Sequence, residues 1–242
     1  TNTKIIIWTL GFFLCLSYLF FTVDRQSVWK DSLVLWEDTS KKSFYDAIPH
    51  INYGEALRDV GKWDEAIKEF LLVFDPKVEG SSIEKAKAAN NIGAAFIDKG
   101  KPKNARKWLF KSLKYAPNHV SAYHNIGSTY FLEGNYEKAE QWFLKAIHYN
   151  PKEEKTYYHL GVIYFMKAKD GGYPSDFITA EKYLKEALRI HPYYAIAHLV
   201  LAQVYTELDN KLDAKEHAQI ALDNGLNKNL VKEAEEILKV SN

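Results

Sequence analysis

The feature that most constrains this chain is a pattern of small and aromatic residues that returns every 34 residues. Gly93, Gly127 and Gly161 are spaced by this interval, and each is followed three residues later by an aromatic residue. A small residue, a large apolar residue, another small residue and a proline then follow in a fixed order. From Gly127 the series is Tyr130, Ala139, Phe143, Ala146 and Pro151. A fixed period of this length indicates a row of similar supersecondary units rather than one closed enzyme core.

The order of residue types predicts a helix hairpin in each unit. Small residues let two helices pack closely, large apolar residues fill the space between them, and proline ends the second helix. Looser copies begin at Gly54 and Ala202, and the copy that begins at Gly161 has seven extra residues around the polar segment 167–175. We therefore expect five hairpins over residues 47–228. A helix over residues 229–242 has the apolar spacing of a terminal capping helix.

These positions resemble the tetratricopeptide repeat (TPR) family over residues 47–228. The resemblance implies an antiparallel helix pair per unit, and a right-handed superhelix of such pairs with a concave groove. It also implies binding of proteins or peptides and no shared catalytic residues. The predicted fold is all-α: an N-terminal hydrophobic helix, followed by a TPR-type α-solenoid of about five helix pairs and a capping helix.

The N-terminal segment carries a long apolar run. Residues 5–23 contain no charged side chain and would form a helix of about 28 Å, close to the ~30 Å hydrocarbon core of a bilayer. We interpret residues 1–25 as a transmembrane helix, with an assembly helix that packs in a homo-oligomer or filament as the alternative. Residues 26–46 have an apolar stripe typical of an amphipathic linker helix.

The linker resembles a second family. The resemblance rests on Arg25, just before the linker, and on linker residues Val28, Trp29, Asp31, Leu35, Trp36, Asp38 and Thr39. These residues lie between a hydrophobic span and the repeats. In this arrangement the segment is similar to the C-terminal region of multi-pass membrane proteins of the O-mannosyltransferase type. The resemblance implies that the repeats lie on the lumenal or periplasmic side. The few flanking basic residues favour the opposite side. We predict a single-pass membrane protein with an extracytoplasmic repeat domain.

Composition and motifs indicate no catalysis. The net charge of +1 disfavours a nucleic-acid surface, which needs a basic stripe. The histidines lack HExxH spacing, the single cysteine lies in the apolar run, and neither a phosphate-binding loop nor a GxSxG motif occurs. We predict no catalytic residues, no metal site and no cofactor.

Asparagine recurs two residues before the first small residue of the repeat. Asn52, Asn91 and Asn125 take this place in three copies, and His159 takes it in the fourth. The TPR resemblance puts this position on the concave wall, where an amide can donate to and accept from the backbone of an extended peptide. The alternative is that these residues only connect neighbouring helices.

The later part of the predicted wall is aromatic. We predict that His124, Phe131, Tyr158, His159 and Phe165 bind a partner together with the three asparagines. Alternatively, the insertion at 167–175 folds inward and fills this wall. The predicted function is a non-catalytic, membrane-anchored scaffold that binds protein or peptide. The alternatives are a filament or surface-layer subunit and an accessory C-terminal region of a membrane glycosyltransferase.

Overall fold

A computed structural model describes residues 32–240, which form twelve α-helices and no strand. Asp46 and Glu79 form an isolated parallel β-bridge. The helices are α1 Ser32–Lys42, α2 Ala47–Asp59, α3 Trp63–Leu72, α4 Ser82–Asp98, α5 Pro102–Tyr115, α6 Val120–Leu132, α7 Tyr136–Tyr149, α8 Glu154–Lys169, α9 Pro174–Ile190, α10 Ala195–Glu207, α11 Lys211–Asp223 and α12 Lys228–Val240.

The described helices belong to two compact units. Unit 1 ends at Pro117 and contains α1–α5, and unit 2 begins at Asn118 and contains α6–α12. Consecutive helices from α2 to α11 pack in pairs, so two hairpins lie in unit 1 and three lie in unit 2. The all-α hairpin architecture predicted from the 34-residue period is confirmed. The handedness of the predicted superhelix stays a prediction.

Close approach between the two helices of a hairpin explains why the small residues recur. A Cβ atom added to Gly54 would lie 2.5 Å from the Phe70 ring, and one added to Gly127 would lie 2.7 Å from the Phe143 ring. Real side chains do not approach this closely, so a glycine at this position allows the large residue of the second helix to reach the first helix. Phe70 and Phe143 are both fully buried.

The polar insertion of the fourth hairpin lengthens its helices. In this hairpin α8 and α9 contain 16 and 17 residues, whereas α6 and α7 of the preceding hairpin contain 13 and 14. The turn that joins α8 to α9, residues 170–173, is exposed. The insertion therefore extends the hairpin and does not fold inward as a loop that fills the wall.

Helices at both ends of the described range pack against the repeats. Leu33 of α1 contacts the apolar core of unit 1, and α1 occupies part of the predicted linker. Ala234 and Ile237 of α12 are buried in the core of unit 2. α12 therefore covers the last hairpin, as expected of a capping helix.

The predicted membrane localisation is wrong as far as the structure describes the chain. Between residues 32 and 240, no helix has both the length and the apolar character that a bilayer crossing requires. The longest helices, α4 and α9, have 17 residues. At ~1.5 Å per residue they are shorter than the ~30 Å hydrocarbon core. Residues 5–23, on which the predicted span depended, lie outside the described residues, as does most of the predicted N-terminal helix and linker before Ser32.

Candidate functional site

In unit 1, the face of α2 borders a polar cleft together with α1. The cleft has a volume of about 300 Å³. It is lined by Ser32, Trp36, Asn52, Glu55, Ala56 and Asp59. Asn52, one of the predicted binding residues, is half-buried and has no side-chain hydrogen bond to any residue in the described range. Its amide is therefore directed to a cleft in which a ligand could reach it.

Asn91 of α4 has a different environment, although it takes the same place in its repeat. It is only 6% exposed, and its amide donates to Glu55 at 2.7 Å. Its side-chain oxygen accepts from Asn90 at 3.4 Å, and Lys87 lies 3.2 Å from the same Glu55 carboxylate. Asn91 thus connects α4 to α2, which was the alternative role considered for these asparagines.

In unit 2, the predicted residues of α6 and α8 meet around the buried ring of Phe143. The His124 and His159 rings each lie 5.3 Å from the Phe143 ring, and 5.1 Å from one another. Phe131 packs edge-on against His159 at 5.8 Å. We call His124, Phe131, Phe143, Tyr158 and His159 the aromatic wall. Asn125 lies next to His124 on α6 and is half-buried.

Both histidines of the aromatic wall are held in the neutral form. Burial lowers the pKa of His124 to about 3, and the neighbouring His159 contributes to the shift. Burial also lowers the pKa of His159. His159 Nδ1 lies 2.7 Å from the Lys155 carbonyl, so this nitrogen donates and the other ring nitrogen, Nε2, keeps its lone pair. His159 Nε2 is therefore a hydrogen-bond acceptor on the wall.

Tyr158 adds a hydrogen-bond donor to the aromatic wall. Its ring packs edge-on against His159 at 5.2 Å and in a tilted arrangement against Tyr194 at 5.4 Å. Burial raises the pKa of Tyr158 to about 12, so its hydroxyl stays protonated at neutral pH. The wall thus offers a donor on Tyr158 and an acceptor on His159, a combination that suits a peptide backbone.

Phe165 lies apart from this group, although it belongs to the same helix as His159. It is 9% exposed, and its ring packs edge-on against Phe177 of α9 at 6.1 Å. It borders a cleft between α8, α10 and α12 with a volume of about 200 Å³, which we call the C-terminal cleft. This cleft is lined by Phe165, Lys169, Gln203, Thr206, Glu207 and Ile237.

Gln203, Thr206 and Ile237 were not predicted as site residues. A signal for Gln203 exists in the sequence, because it follows Ala202 as Glu55 follows Gly54 in the first copy. Ile237 lies in α12, beyond the last repeat, so the 34-residue period gives no information about its position. The repeat pattern could therefore have identified one side of this cleft.

No group of three or more His, Cys, Asp or Glu side chains lies close enough to hold a metal ion within residues 32–240. The side chains brought together on the aromatic wall are rings, one hydroxyl and neutral imidazoles. Such groups suit contact with a polypeptide, through ring packing and a small number of hydrogen bonds.

Sequence comparison identifies two of the repeats. Residues 86–119 and residues 120–153 each match a sequence model of the tetratricopeptide repeat. A search of curated proteins gave no match to the chain.

Solved structures share the fold at low sequence identity. The crystal structure of MamA is 22% identical, with a TM-score of 0.55 over 71% of this chain and 93% of that chain. The APC/C hetero-tetramer Cut9–Hcn1 is 18% identical, with a TM-score of 0.69 over 85% of this chain and 38% of the other. YrrB, described as a TPR protein with an unusual peptide-binding site, is 18% identical, with a TM-score of 0.53 over 83% of this chain and 97% of that chain. At these identities the likeness shows the fold alone. Residues 86–153 are tetratricopeptide repeats, and the described part of the chain has the all-α fold of TPR-like solenoids.

Proposed function

We propose that this protein is a non-catalytic scaffold that binds an extended segment of a protein partner on the aromatic wall of unit 2. The observation that carries the proposal is the His159 Nε2 acceptor next to the Phe131 ring, together with the hydroxyl donor of Tyr158, whose ring packs against His159. A peptide backbone alternates donors and acceptors and can pair with both groups. YrrB, which has the same type of fold, is described as having a peptide-binding site.

The cleft of unit 1 supports the same kind of role for Asn52. Its amide has no partner among residues 32–240, and it lies beside Trp36 and Glu55 in an open cleft. Asn91, by contrast, is already paired with Glu55. We therefore keep Asn52 in the proposed binding surface of unit 1 and assign Asn91 to positioning Glu55.

The proposal is tested with peptides selected from a random-peptide phage library on the full chain. We expect Phe131→Ala to weaken binding of the selected peptides at least about tenfold, the size of effect expected for an aromatic binding residue. His159→Phe keeps a ring on Phe143 and removes the acceptor, and we expect a smaller loss. Dissociation constants come from fluorescence polarisation with dye-labelled peptides.

Tyr173→Ala is the matched control, because Tyr173 is an aromatic residue of unit 2 that is 78% exposed on the turn before α9. It should leave binding unchanged. The proposal is wrong if the selected peptides bind Phe131→Ala and the unsubstituted protein equally well, or if the library yields no binding peptide.

The other functions predicted from the sequence depend on residues outside this surface. Self-assembly through an N-terminal helix depends on residues 5–23, and the transferase resemblance depends mainly on residues before Ser32, so both stay predictions. The absence of catalysis and of nucleic-acid binding also stays a prediction from motifs and charge.

A further inference from the structure

The C-terminal cleft of unit 2 differs in chemistry from the aromatic wall. A second cavity of about 280 Å³ adjoins it and shares the side chains of Gln203, Thr206 and Ile237. Glu233 and Glu236 of α12 border this second part. Ligand pockets for small molecules usually measure about 300–1,000 Å³, so each part has the size that suits a single side chain better than a cofactor.

The floor of the C-terminal cleft is apolar. Phe165 from α8 and Ile237 from α12 are 9% and 8% exposed, and their accessible edges face the opening. An apolar side chain placed on these edges would remove apolar surface from water on both sides of the contact. The floor therefore favours a large aliphatic or aromatic side chain.

The rim of the cleft is negatively charged. Glu207 borders the cleft itself, Glu233 and Glu236 border the adjoining cavity, and Lys169 is the lining residue with a positive charge. Lys169 forms an ion pair with Glu207 at 2.6 Å. Glu233 accepts a hydrogen bond from the neutral Gln203 amide at 3.1 Å, so its charge is not neutralised. Glu236 forms no ion pair with any residue of the described range.

We propose that the C-terminal cleft binds a peptide segment in which a large apolar side chain stands next to Lys or Arg. The apolar side chain packs on Phe165 and Ile237, and the cation lies at the rim near Glu233 and Glu236. This inference rests on the proposed peptide-binding function and adds the type of segment that is bound. Two unbalanced negative charges at the rim favour a basic segment and oppose an acidic one.

The test uses the same random-peptide library, with variants that change the cleft and leave the buried core intact. Glu236→Lys reverses one rim charge on the surface of α12, and Thr206→Phe places a bulky ring in the opening from an exposed position on α10. Glu235→Lys is the matched control, because it is the adjacent exposed residue of α12 and does not line the cleft. Circular dichroism melting confirms that each variant is folded.

We expect the selected peptides to carry Phe, Leu, Ile or Met beside Lys or Arg. Their affinity should fall about tenfold with Glu236→Lys and with Thr206→Phe, the effect expected at a central binding residue, and should stay unchanged with Glu235→Lys. Added salt should weaken the binding of the unsubstituted protein and affect Glu236→Lys less.

The outcomes separate this inference from the proposed function. If peptides lose affinity with Phe131→Ala but not with Glu236→Lys or Thr206→Phe, the cleft inference is overturned and the proposed function stands. If they lose affinity with the cleft variants alone, the cleft inference is supported and the aromatic wall is not the binding surface. Selected peptides that are mainly acidic overturn the inference, and a library that yields no binding peptide overturns both proposals.

Discussion

His50 in unit 1 and His198 in unit 2 take matching places in their hairpins, and their contacts can be compared atom by atom. The Nε2 atom of each lies against the backbone carbonyl six residues earlier, Phe44 at 2.8 Å and Pro192 at 2.9 Å. The Nδ1 atom of each faces a side chain 19 residues later, on the second helix of the hairpin. In unit 1 this side chain is Glu69 at 2.9 Å, and in unit 2 it is His217 at 2.8 Å.

The different partner changes what the buried histidine can bond to. The Nδ1 atom of His50 faces a carboxylate and its Nε2 atom faces a backbone carbonyl, so both ring nitrogens lie against oxygen atoms. His198 donates from Nε2, so its Nδ1 can only accept, and His217 Nδ1 donates to it. The repeat backbone thus fixes where the histidine lies, and one residue on the second helix determines whether its Nδ1 atom faces a carboxylate or an imidazole.

The two arrangements should respond differently to acid. Burial, with a contribution from His198, lowers the pKa of His217 below its ordinary value. An unfolded histidine titrates near 6.5, so the unfolded chain binds more protons than the folded chain as the pH falls below about 6.5. The contribution of the neutral pair to the stability of unit 2 is therefore present above this pH and is lost as the pH falls towards the lowered pKa.

The largest expected effect comes from removing the buried histidine of unit 1. His50→Ala leaves the Glu69 carboxylate and the Phe44 carbonyl without their partner, and we expect the free energy of unfolding to fall by about 2–3 kcal/mol. Urea denaturation measures this change. His148→Ala serves as the control, because His148 is exposed on α7 and should change stability by less than about 0.5 kcal/mol. Equal losses for the two variants would mean that the buried pair contributes no specific stability.

A smaller effect is expected when unit 2 is given the histidine–carboxylate arrangement of unit 1. In His217→Glu, residue 217 offers a carboxylate to His198, as Glu69 does to His50. We expect the stability of this variant to fall less than that of the unsubstituted protein between about pH 7 and about pH 5, because the histidine with the lowered pKa is removed. Hydrogen exchange followed by mass spectrometry on α10 and α11 measures this locally. An acid sensitivity identical to that of the unsubstituted protein would contradict the assignment of a neutral pair.

The smallest effect is expected for the reverse substitution in unit 1. Glu69→His replaces the histidine–carboxylate pair with two imidazoles, and we expect a loss of about 0.5–1 kcal/mol at neutral pH, of the order of one hydrogen bond. The variant should also show new acid sensitivity in the peptides of α2 and α3, measured by the same exchange experiment. If hydrogen exchange in these peptides does not change with pH, the site around His50 does not form a neutral pair of imidazoles.

The fold could be predicted from the sequence because its main contact is local. Gly54 and Phe70, like Gly127 and Phe143, lie in the same hairpin, so the requirement for a small residue opposite a large one is visible as a period. His124, Phe131, Tyr158 and His159 were predicted as site residues because the TPR resemblance implies that the first helix of a repeat lines the concave wall. Their position together around Phe143 follows from the stacking of α6, α7 and α8 within unit 2.

The remaining features depend on contacts that the period does not encode. Asn52 and Asn91 look alike in the sequence, but Glu55 reaches Asn91 from the neighbouring hairpin and uses its amide. The negative rim of the C-terminal cleft depends on how α12 packs after the repeats end. The localisation failed because it was drawn from residues 5–23, which lie outside the described range, while the described helices cannot cross a bilayer.

The glycine–aromatic contact also bears on how such a chain can grow. Gly54 and Phe70 are 16 residues apart, as are Gly127 and Phe143, so one copied stretch of gene carries both partners of the contact. A duplicated hairpin therefore already contains both residues of the contact between its two helices. Lineages can lengthen or shorten the array by whole copies, and selection then acts on the exposed faces that meet partners.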